Sequence, residues 1–237
     1  MERLAGNAES MELPTVTAER IHHGLRIARW CSTSLALAFM SLHLFNAFLL
    51  QQPLPDIDAN AEGNAMTWAS TVATAAVAIA ALLDALITGP RLANLGLALT
   101  TGFLSLDDMI SLHERLSTKL LLLTGLDPAW DSVLWPVLLL PALVMITVLI
   151  VHMAAAGTRA TMQHALAGLC LLALAVLSEV LSAPWSTGAN PVRTIQGGFE
   201  EALELAGWML VASSLFLTLV ARAVRQAADP GQPVARK

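Results

Sequence analysis

The sequence predicts an all-α protein, a polytopic integral membrane bundle of about six transmembrane helices, on three observations. Apolar residues make up 56% of the chain and charged residues only 13%, with a mean hydropathy of +0.64, far from the balance of a soluble domain. Six apolar segments reach the roughly 20 residues that cross a hydrocarbon core. Turn-forming or charged stretches separate them.

The segments fall at 29–50, 66–88, 92–116, 132–154, 161–182 and 198–221. The first follows an arm, residues 1–27, that carries charges throughout and has no continuous apolar run. No cleavable signal peptide is therefore expected, and the first span acts as its own targeting signal. Within the arm, TAERIHHGLRIARW reads as an amphipathic lead-in helix capped by Thr17, with His22 and His23 on a solvated face. QQPLPDIDANAEGN is a turn-rich loop before the second span, GPRLAN a tight turn before the third, and SAPWSTGANPVRTIQGG a turn-rich loop before the sixth. Between the third and fourth spans, STKLLLLTGLDPAW reads as a short interfacial helix ending near Gly125. The chain thus divides into a cytoplasmic arm 1–27, a six-helix domain 28–222 and a cytoplasmic tail 223–237. Cys31 and Cys170 are too few for a disulfide framework and read as core residues.

Basic residues set the expected orientation. Arg3, Arg20, Arg26, Arg29, Arg91, Arg159, Arg222, Arg225, Arg236 and Lys237 fall on the side that holds both termini, against Arg115, Lys119 and Arg193 opposite. The positive-inside bias then places both termini in the cytoplasm, in a bacterial-type inner membrane. Trp68, Trp130, Trp135 and Trp185 fall at the outer interface as an aromatic belt, and Trp30 at the inner one.

Against this apolar background the acids stand out, because eight of the eighteen lie in or at the ends of the spans. FLSLDDMISLHERL brings Asp107, Asp108, His113 and Glu114, and FEEALELAGW brings Glu200, Glu201 and Glu204. Ionisable groups at membrane depth are expensive unless they pair, bind a cation or line a wet cavity. At about 1.5 Å per residue from the arginine at each cytoplasmic end, His43 lies ~21 Å up, Asp107 ~24 Å, Glu204 ~27 Å and Glu179 ~30 Å, with Glu114, Glu200 and Glu201 slightly higher. Four helices thus deliver polar groups to one slab of the outer leaflet. In a regular helix Asp107, Ser111 and Glu114 share a stripe, flanked by Asp108 and His113. Glu200, Glu201 and Arg115 are equally well explained as charges at helix ends.

Clustered carboxylates in a low-dielectric setting require protons or a cation. Carboxylates with imidazoles suit a divalent transition metal such as Zn, Fe or Mn, whereas carboxylates alone suit Ca or Mg. The expected ligands are Asp107, His113, Glu114, Glu179, Glu200, Glu201 and His43. The Glu-x-x-His spacing of di-metal carboxylate bundles is missing from both runs. Metal-assisted hydrolysis of a lipid or other amphipathic substrate, with Glu204 or Asp108 as general base, is the preferred chemistry. A proton- or cation-coupled transporter is the rival, with Asp84, His152 and His164 ~8–11 Å from the cytoplasmic ends of their helices. The same three also read as single polar groups near helix ends. An accessory subunit packing through the small residues of TVATAAVAIAALLDA is the third reading. No basic stripe suggests nucleic acid, and no nucleophile elbow, phosphate loop, H-E-x-x-H or dinucleotide fingerprint occurs.

Overall fold

A computed structural model of the protein describes residues 15–50, 54–61, 63–89, 91–127, 130–182 and 190–228, apart from the side chains of 15, 16, 114, 131 and 228. The arm before Thr15, Trp185 and the tail beyond Ala228 lie outside it.

Seven α-helices follow one another: α1 Thr15–Leu49, α2 Ala65–Thr88, α3 Leu92–Ile110, α4 Leu112–Thr124, α5 Asp131–Ala154, α6 Arg159–Ser182 and α7 Pro191–Ala228. Five of them, α1, α2, α5, α6 and α7, are long and apolar enough to cross a membrane, and the bent pair α3 and α4 supplies a sixth crossing when taken as one span. Local chemistry fixes the ends. Asn64 caps α2 by accepting from the Met66 and Thr67 amides, and Gly89 closes it at φ +92°. Asn190 accepts from the Val192 amide at 2.9 Å with Pro191 at the first helical position.

Several expectations change. α1 is continuous from Thr15, so the lead-in segment and the first span are one helix: Ile21 and Leu25 pack against Ala221 and Leu217 of α7. Thr17 lies inside that helix and is not its cap. α7 begins seven residues before the expected span, because the cap at Asn190 starts it early and Gly197 and Gly198 serve close packing inside it. The third span is broken at Ser111. Cys31 and Cys170 are both exposed. A thiol is apolar enough to face lipid, so burial inside the bundle is not required of it.

Helices α6 and α7 meet closely where Gly168 faces Gly207: a Cβ on Gly168 would lie 2.7 Å from the Gly207 carbonyl oxygen, and one on Gly207 would lie 3.0 Å from the Gly168 oxygen. Small residues at a crossing are how membrane helices gain contact without a hydrophobic driving force. The alanines of α2 do the same inside the bundle, with Ala80 and Ala81 fully buried. A core of Val77, Leu97, Ile146, Ile150, Met153, Ala165, Val211 and Leu215 joins α2, α3, α5, α6 and α7. Near the terminal end of the bundle, Asp84 pairs with Arg222 and accepts from Asn94 Nδ2 at 2.7 Å. Asp84 is thus one half of a buried ion pair joining α2 to α7. α5 is held differently: it meets α3, α4, α6 and α7 through narrower seams than those joining α6 to α7 or α2 to α3.

Candidate functional site

At the end opposite the termini, the C-terminal parts of α3 and α6 and the N-terminal parts of α2, α5 and α7 surround a cavity of about 550 Å³. Asp107, Asp108, His113, Glu179, Glu200, Glu201 and Glu204 all line it. Deeper along the same helices the wall becomes aliphatic, with Leu139, Leu143, Val144, Val148, Leu172 and Val176. From Trp135 to Val148 is ~20 Å of helix, so the cavity is long as well as two-toned.

The break in the third span builds the polar end. Ser111 sits at φ 49°, ψ 44°, the one positive-φ residue other than glycine among the described residues, and α4 leaves the axis of α3 at 73°. A left-handed serine carries strain that the surroundings must hold. Asp107 does so, because its Oδ1 accepts from the His113 backbone N–H at 3.0 Å and its Oδ2 lies 2.7 Å from His113 Nδ1. One carboxylate thus caps the first turn of α4 and orients the imidazole. A neutral ring that donates from Nδ1 keeps its lone pair on Nε2. The ring also tilts against Trp135 at 5.0 Å between centroids.

Neutral donors meet the other acids. Thr71 Oγ1 donates to Asp108 at 2.9 Å, Thr67 Oγ1 to Glu201 at 3.2 Å, Trp135 Nε1 to Glu179 at 2.6 Å and Trp208 Nε1 to Glu204 at 3.4 Å, while Gln196 donates to Glu200. Sequence reasoning missed all five donors. Thr67, Thr71 and Thr74 recur on one face of α2, which the spacing in TWASTVAT does show. Trp135 has the height of a belt residue, but its indole N–H points to Glu179.

His43 is a correction to the expected ligand set. It is fully buried, with Nε2 2.8 Å from the Thr194 carbonyl and Nδ1 accepting from the Ala59 amide at 2.9 Å. Both ring nitrogens are therefore engaged with backbone, and Gly198 of α7 is the residue that makes room for the ring. The side chain of Glu114, another expected ligand, falls outside the described residues. Among the described residues no three His, Cys, Asp or Glu side chains are arranged to hold a metal ion. The cavity wall includes no lysine or arginine among the described residues.

A loop roofs this end. Asn46 donates to the Leu54 carbonyl at 2.9 Å and accepts from its amide at 2.7 Å, His43 holds Ala59, and Ala59, Asn60, Ala61 and Gly63 line the cavity.

A family model described as Domain of unknown function (DUF8692) matches residues 33–219, which takes in five of the seven helices whole, α2 to α6, together with the part of α1 from residue 33 and the part of α7 up to residue 219. No curated protein and no solved structure matches.

Proposed function

The chain belongs to the family described as Domain of unknown function (DUF8692), and from that premise we propose that the cavity binds, within the membrane, an amphipathic molecule with a cationic, amine-bearing head group. The observation that carries this reading is the divided wall: six carboxyl groups with no lysine or arginine among the described residues at one end, and an aliphatic trough at the other. A cationic head group offsets the repulsion among buried acids, and its hydrocarbon tail gains by filling the trough. Among the described residues no donors converge as a divalent transition metal would need, and the cation proposed is organic. Asp108 and Glu204, the bases of the hydrolytic reading, become part of the anionic cradle. The Asp107–His113 pair equips the same end to take a proton from an ammonium group, which is what acid–base work on such a substrate requires.

Trp135 and Trp208 line the cavity and supply the test. In nanodiscs, with the other tryptophans replaced by phenylalanine, a brominated alkylamine is expected to quench their fluorescence at about tenfold lower concentration than a brominated alkyl sulfate of the same chain, a preference of ~1.4 kcal/mol. Glu200→Gln combined with Glu204→Gln should reduce that preference. Equal quenching by the two head groups would count against the cationic cradle.

The same reading places the acidic end outside, in a bacterial-type inner membrane with cytoplasmic termini, supported by the arginine distribution. Reporter fusions at Asp58 and Asn190 are expected to read external, and fusions at Arg91 and Arg159 cytoplasmic. The reverse pattern would place the acids on the cytoplasmic side.

A further inference from the structure

We infer that the ligand enters this cavity sideways from the bilayer, through a slot between α5 and α6, and not through the loop that roofs the acidic end. The inference rests on the amphiphile-binding reading above. Leu140, Val144 and Val148 line the cavity and yet are 55%, 54% and 60% exposed. Their spacing of four residues makes one stripe on α5, ~12 Å long. Residues that touch both the interior and the outside mark an opening. Ala173 of α6, also exposed and also part of the cavity wall, adds a side chain too small to close it.

The slot is chemically smooth. Thr147 is the polar residue on its α5 edge, and its hydroxyl donates to the Leu143 carbonyl at 2.9 Å, so a passing hydrocarbon chain desolvates no unmet donor there. α5 is also the wall best built to give. It carries Pro136 and Pro141 within the helix, and proline at 141 removes the amide that would bond the Val137 carbonyl. Its seams with neighbouring helices are narrow. The roof is the opposite case. One hydrogen bond from Asn46 to the Leu54 carbonyl, one from the Leu54 amide to Asn46 and one from the Ala59 amide to His43 fasten residues 54–59 to α1, and His43 ties the same point to α7.

Entry rates separate the two routes. With the protein in nanodiscs and the brominated alkylamine delivered from donor vesicles, stopped-flow quenching reports arrival at Trp135 and Trp208. Val144→Phe and Ala173→Phe, both at the slot and both part of the cavity wall, are expected to slow arrival about tenfold and to slow departure as well, whereas a merely weakened site would speed departure. Asn46→Ala, which unfastens the roof, should leave the rate at the wild-type value. Wild-type rates in both slot variants, or faster arrival in Asn46→Ala, would overturn lateral entry. Absence of quenching in the wild-type protein is a separate result that removes the binding reading itself.

Discussion

Gly168→Leu is expected to eliminate folded, monodisperse protein. The first atom of any side chain at 168 would stand 2.7 Å from the Gly207 carbonyl oxygen and 2.9 Å from Val211 Cγ2. Backbone cannot rotate away as a flexible side chain can, so α6 and α7 must separate along the broadest interface in the bundle. Overpacking a well-fitted core costs about 1–3 kcal/mol, and a contact set by a carbonyl belongs at the upper end or beyond. Thermal unfolding in detergent, followed by size-exclusion of the heated sample, measures the loss. Gly96→Ala is the control, because a Cβ there meets only Leu149 Cδ1 at 3.7 Å. A Gly168→Leu protein that melts with the wild type would show that the two helices do not approach as described.

The second large effect lies at the other end of the bundle. Arg222→Leu strands Asp84, a side chain 1% exposed, with Asn94 as its remaining hydrogen-bond donor. Removing one member of a buried ion pair typically costs about 3–5 kcal/mol, because the surviving charge is left without compensation. The double variant Asp84→Leu, Arg222→Leu removes both charges and should regain most of that stability, since apolar groups of similar volume satisfy a buried position about as well. Denaturation of the two single variants and the double variant forms the cycle. Single variants as stable as the wild type would mean that the pair contributes nothing to holding α2 against α7.

The spans were legible because each is an apolar run of bilayer length bounded by charge or turn formers. Height was legible too: counting rise from arginines put Asp107, Glu179 and Glu204 at one level, and they line one cavity. Direction around the helix was not. His43 has the right height but faces the roof loop and α7, and Trp135 looks like a belt residue while its N–H turns inward. The break at Ser111 left no trace in ISLHE, which contains neither glycine nor proline. It depends on Asp107 reaching forward six residues to His113, a contact that exists only once the chain has bent. The lead-in helix was legible in TAERIHHGLRIARW, but not that it runs unbroken into the first span with Ile21 and Leu25 against α7, and the early start of α7 was hidden by the turn formers of NPVRTIQGG.

The bend also has a mechanical side. α4 is thirteen residues long and is joined to α3 through the single residue Ser111, so it acts as a lever arm of ~20 Å with its fulcrum beside the cavity. His113 sits at the short end, two residues from the fulcrum, and Leu123, 83% exposed, sits near the tip. Turning such an arm by ~10° displaces its tip by ~3.5 Å while His113 moves by well under 1 Å. A spin label at Leu123 is therefore a magnified gauge of events at the Asp107–His113 contact, and Asp107→Asn, which weakens that contact, is expected to broaden the distances it records to α6.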